Sequence, residues 1–166
     1  MSSDQVFNYL LLWGLIGCGL FFIIVVVLFR TGIVYTARKE DGTLKDEIPV
    51  TGKLAMLILP LNYWILQTTA NYFGLVQQNI SLRYWELFLL NYGVYLILFL
   101  FDTVFIDGFV LSIWRPAFLQ LPDAMGKESM KKHILISIPI GLFIGIILTL
   151  ISTTLIYSLR FNQPTT

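Results

Sequence analysis

Charged residues are gathered into a few short stretches, and long uncharged runs separate them. Residues 6–29 carry no charge over 24 positions, 54–80 none over 27, 87–101 none over 15, and 134–159 none over 26. None of the runs alternates with period two, so barrel strands are not expected. A hydrocarbon core about 30 Å thick takes about 20 helical residues. Lipid offers no partner for backbone N–H and C=O groups, so a crossing segment must be helical. The pattern predicts four spans, at about 6–29, 54–77, 85–106 and 133–159. The expected fold is all-α: an integral membrane four-helix bundle forming a single domain over residues 1–166.

The first run is expected to be a retained span. It is longer than a signal-peptide core, and it is preceded by Asp4 with no Lys or Arg. The first loop has two readings. Asp41-Gly42 is a hairpin-turn pair between Gly32–Arg38 and Leu44–Val50, which favours a small cytoplasmic β-hairpin. The other reading is a charged loop without regular structure, because an isolated hairpin is marginal in water.

Charge orients the spans. Nine of the 11 Lys and Arg residues fall in the first and third loops: Arg30, Arg38, Lys39, Lys45 and Lys53, then Arg115, Lys127, Lys131 and Lys132. Only Arg83 and Arg160 fall on the other side. The positive-inside rule places the basic loops, 30–53 and 107–132, in the cytoplasm and both termini outside. A bacterial cytoplasmic membrane is the expected location.

Composition agrees with the pattern. Apolar residues make up 57% and charged residues 13%, against about 45–50% and about 25% in soluble domains. A net charge of +1 gives no reason to expect a nucleic-acid partner. Cys18 is the single cysteine, which excludes an internal disulfide, a CxxC pair and a cysteine-rich zinc site. No cofactor is expected. The expected partners are the lipid bilayer and either a second copy of the chain or a larger membrane complex.

Polar residues inside the spans mark the faces that should turn inward. Gln67, Asn71 and Gln78 recur at spacings of four and seven on the second span. They serve either as interhelical hydrogen-bonding groups or as part of a binding site. The fourth span has a small residue at every fourth position: Ser137, Gly141, Gly145, Thr149 and Thr153. Its GxxxG permits close helix approach, either within the chain, with Gly14 and Cys18 as a complementary surface, or between two copies.

Asp102 and Asp107 are the only charges in apolar surroundings. Asn91, Tyr95 and Asp102 share a face of the third span. At about 1.5 Å per residue from Leu87, Asp102 lies about 22 Å along, toward the cytoplasmic end. Asp107 comes five residues later, about 140° around an α-helix, so the two carboxylates would diverge unless Gly108 bends the chain. Arg115 and His133 lie at similar depth. After Trp114-Arg115-Pro116, residues 108–121 either prolong the third helix or lie along the interface.

A charge within a span should be paired, protonated or facing water. Three roles are open. Asp102 and Asp107 hold the bundle together through hydrogen bonds, or line a small cytoplasm-facing cavity for a proton or cation, or join His133 around a metal. GxSxG, P-loop, GxGxxG and HExxH signatures are all missing. The favoured reading is a non-enzymatic bundle that packs with a partner or forms a polar cavity around Asp102 and Asp107. The alternative is a small proton- or cation-linked transporter or channel subunit, and the third is a metal-dependent intramembrane enzyme.

Overall fold

A computed structural model describes residues 1–33, 36, 45–76, 80, 82–119, 121 and 127–161, without the side chains of 55, 76, 127–133, 160 and 161. Every regular element among the described residues is helical. Four long helices run α1 (Ser3–Arg30), α2 (Val50–Asn71), α3 (Tyr84–Leu100) and α4 (Lys127–Phe161). α2 continues into a π-helical turn, Tyr72–Val76, and α3 into a π-helix, Phe101–Trp114. A short 3₁₀ turn, Ala117–Leu119, comes next.

The first loop corrects one expectation. The described flanks of the proposed hairpin contain no strand, and Val50 already opens α2. Asp41-Gly42 itself lies outside the described residues. α1 ends where the Thr31 hydroxyl donates to the Val27 carbonyl at 2.9 Å and Gly32 takes φ +70°. That left-handed turn is cheap for glycine and stops the helix. At the other end Ser2 and Gln5 form a capping box, which satisfies two amides of the first turn.

Three helices are long and apolar enough to cross a membrane: Ser3–Arg30, Tyr84–Trp114 and Ile134–Leu159, with mean hydropathies of 2.8, 2.2 and 2.8. The expected span at 54–77 is not among them. Asn62, Gln67, Thr68, Thr69 and Asn71 dilute its apolarity. Asn62, Gln67 and Asn71 are buried, however, while Leu57, Leu61 and Ile65 on the same helix are exposed. The outer faces of the other helices expose Leu12, Leu15 and Ile23 on α1, Leu89 on α3, and Leu135, Ile136 and Phe143 on α4. So many exposed large apolar side chains on long helices are foreign to soluble monomers.

Contacts fix the helix directions. α1 and α2 run antiparallel, since Tyr9 meets Asn71 and Phe21 meets Tyr63. α1 and α3 run parallel, with Leu10 over Gly93 and Ile97 over Gly14. α3 and α4 are antiparallel, with Asn91 against Thr153 and Phe99 against Gly141. α3 therefore has neighbours on three sides, and Leu87, Val94, Tyr95 and Leu98 are almost wholly buried.

The third helix is longer than the expected 85–106. It runs to Trp114 and stops at Arg115, which adopts φ 44°, ψ 57° and donates its N–H to the Val110 carbonyl at 2.8 Å. Pro116 explains the stop, because proline has no N–H and disfavours helical geometry in the residue before it. The chain then turns back, buries Leu119 and rests on α1. Residues 108–114 thus prolong the helix, and 117–119 do not.

Candidate functional site

Asp102 lies half-buried near the start of the π-helix and accepts a hydrogen bond from the Tyr63 hydroxyl at 2.8 Å. The tyrosine comes from α2 and is buried. Its ring packs between Phe21 of α1, centroids 4.9 Å apart, and Tyr95 of α3, 5.3 Å apart. Three helices therefore hold the phenol in place, and the phenol holds the carboxylate. The length is ordinary for O–H···O, and a charged acceptor strengthens such a bond.

The π register changes the expected relation between the carboxylates. In Phe101–Trp114 the backbone bonds close from i to i+5, so residues five apart fall on one side of the helix, as residues four apart do on an α-helix. Asp102 and Asp107 then face the same way, not about 140° apart as on an α-helix. The Ser112 hydroxyl donates to the Asp107 carbonyl at 2.6 Å, again five residues back. A ladder of stacked rings, Phe101, Phe105, Phe109 and Trp114, climbs the same segment. Phe105, Phe109 and Trp114 are exposed, which sets the apolar side of the segment outward.

Asn91 and Tyr95 share the expected face of α3 but do not bond Asp102. Tyr95 donates to the Gly141 carbonyl at 2.7 Å, and its ring stacks between Tyr92 and Phe99. Gly145 lies under that ring and Gly141 under Phe99. The partner of the GxxxG is thus a pair of aromatic side chains in the same chain, and not a helix backbone. Gly14 meets Ile97, on another side of α3. Ser137, at the start of the stripe, is half-buried.

A turn further on, the interior is neutral and polar. Asn91 Nδ2 donates to Thr153 Oγ1 at 3.2 Å, and Thr149 Oγ1 donates to Gln67 Oε1 at 3.3 Å. Thr68 and Ser152 share a hydrogen bond of 2.8 Å. Asn71 receives the Tyr9 hydroxyl at 3.0 Å and donates to the Gln67 carbonyl at 2.8 Å. The small-residue stripe of α4 has two jobs: its glycines admit rings, and its threonines satisfy amides.

Arg115 ends the π-helix. His133 belongs to α4, and its side chain is outside the described ones. Among the described residues no three His, Cys, Asp or Glu side chains gather as a metal site. Sequence reasoning missed Tyr63 and Tyr9. The first had a signal, for Tyr63, Gln67 and Asn71 recur at four-residue steps on one face of α2.

Two carboxylates, one bonded to a phenol, in an apolar setting can take up and release a proton or hold a small cation. Comparison of the chain with protein-family models, with curated proteins and with solved structures gives no match in any of the three.

Proposed function

We propose that the chain is a multi-pass membrane protein, a four-helix bundle without enzymatic chemistry, that binds a proton or small cation at Asp102 and Asp107. The observation that carries this reading is the Tyr63–Asp102 hydrogen bond, whose phenol packs between the rings of Phe21 and Tyr95. A carboxylate placed there costs about 2.5–3.5 kcal/mol unless it is paired, protonated or facing water, and here a neutral phenol is the partner.

α2 serves as the fourth span. Its amides face inward and its leucines outward, the distribution a helix needs between lipid and protein. The cytoplasmic end is the one nearest Asp107 and the basic loops, because Lys and Arg concentrate there. In a Cys18→Ser background, Gly42→Cys is expected to resist a membrane-impermeant maleimide on intact cells, while Ser3→Cys reacts. The opposite labelling would invert the topology.

The binding reading is tested by infrared spectroscopy of the protein in nanodiscs during a pH titration. A carboxyl C=O band that appears on acidification and is missing from Asp102→Asn supports it. An Asp102 that shows no titration and no change with Na⁺ or K⁺ removes it. A second reading, a proton- or cation-linked transporter, is favoured by the polar groups that continue from Tyr95 through Asn91 and Gln67 to Asn71 and Tyr9. Asp102-dependent flux into liposomes loaded with a pH-sensitive dye separates it from binding alone.

A further inference from the structure

We propose that one internal water molecule is bound between Gln67 of α2 and Asn91 of α3, at the level of Thr149 and Thr153. Both amide side chains are completely buried. Each is half satisfied. Gln67 Oε1 receives the Thr149 hydroxyl, while Gln67 Nε2 has no partner among the described residues. Asn91 Nδ2 donates to Thr153, while Asn91 Oδ1 has none among them. Between them the two amides thus hold one spare donor and one spare acceptor, and burial without a partner is costly for both.

Their placement fits a bridge. Thr149 and Thr153 are one helical turn apart on α4, about 6 Å along its axis. Gln67 and Asn91 therefore reach the same stretch of α4 from two different helices. A water between the two amides makes two bonds of about 2.9 Å each that meet at one oxygen. The water accepts from Gln67 Nε2 and donates to Asn91 Oδ1, and a threonine hydroxyl supplies the third contact usual for buried water.

Exchanging N and O within either amide does not remove the requirement. Each exchange leaves one unpartnered atom per side chain, and water, being both donor and acceptor, satisfies either arrangement. A cation fits less well, because Gln67, Asn91, Thr149 and Thr153 bring no carboxylate to offset its charge. Asn71, Thr68 and Ser152, which surround this level, are also neutral. The inference does not depend on what Asp102 binds. It adds a hydrated centre that ties α2, α3 and α4 together where lipid supplies nothing.

The test uses the full-length, ¹⁵N-labelled protein in nanodiscs. The side-chain NH₂ resonances of Gln67 are expected to show a cross-relaxation peak to water. Thermal melting of Gln67→Leu, Asn91→Leu and the double variant supplies a second readout. Each single replacement strands the other amide and its water, so the double variant is expected to melt at or above the lower single. A folded wild type without the Gln67–water peak overturns the proposal. So does a peak that disappears while the melting point rises with Na⁺ or K⁺, which would make the occupant a cation. Strictly additive losses in the double variant also count against a shared water.

Discussion

Gly145→Leu is expected to unfold the protein or lower its stability by more than the roughly 1–3 kcal/mol typical of an overpacked core. Even a β-carbon at this position would overlap the ring of Tyr95. The ring has nowhere to go. It is almost completely buried, it stacks on Tyr92 and Phe99, and its hydroxyl is tied to the Gly141 carbonyl at 2.7 Å. Gly145→Ala separates the clash from size. Alanine is worth about 1 kcal/mol over glycine in a helix interior, so the variant is destabilised only if the clash exceeds that gain. Gly19 on α1 is the internal control, because nothing lies within 4 Å of an added β-carbon there. Gly19→Ala should raise the melting point, Gly145→Ala should lower it, and Gly145→Leu should lower it most. Light scattering on the same samples distinguishes the interchain alternative: a homodimer face would lose the dimer with little change in the monomer's stability. Melting unchanged in both Gly145 variants would contradict the intrachain contact.

The helices were legible because a single physical demand writes them. A segment in an apolar environment must satisfy its backbone internally and present apolar side chains outward, and the uncharged runs at 6–29, 87–101 and 134–159 carry that demand openly. α2 carries an uncharged run too, yet it is not among the three helices apolar enough to cross a membrane. Its inward amides, Asn62, Gln67 and Asn71, lower the apolarity of the segment while its outward leucines remain exposed. Composition alone cannot separate these two faces; periodicity can. The hairpin went the other way. Asp41-Gly42 is a local preference, and local preference decides little when no sheet is present to receive two short strands. The described flanks carry none.

Spacing along the sequence brings out Asp102 as a candidate and leaves its hydrogen-bond partner unnamed. Asp102 stands out because an ionisable group in a span is costly, and its depth comes from counting residues. Its bond to Tyr63 spans 39 positions in the chain, and spacing on one helix says nothing about which neighbour will face it. The relation of Asp102 to Asp107 failed for another reason. A spacing of 3.6 residues per turn does not hold there, because the segment is π-helical from Phe101 to Trp114. Nothing in residue type announces that register. Asn91 and Tyr95 lie on the expected face yet serve α4, through Thr153 and Gly141. A shared face therefore identified groups that point inward, and packing decided what each one met.

The pair Tyr63 and Asp102 carries the second large expectation. Tyr63→Phe removes the donor and leaves a buried ring in place, so the loss should be close to that of one hydrogen bond to a charged group, about 1.5–3 kcal/mol. Asp102→Leu strands the Tyr63 hydroxyl among Phe21 and Tyr95 and should cost about 1–3 kcal/mol. Combining the two replaces a polar pair by an apolar one, and the double variant should lose markedly less than the sum, the coupling expected of groups in contact. Asp102→Asn keeps an oxygen that can accept from Tyr63, so it should fold and melt close to the wild type. These outcomes establish the bond, and the asparagine variant then tests the function. It keeps the shape of the site and loses the titrating charge, so proton or cation binding should vanish while stability stays. An Asp102→Asn protein that is stable and retains full binding and flux would return Asp102 to a purely structural role and move the search to Asp107, one π-turn away on the same side of the helix.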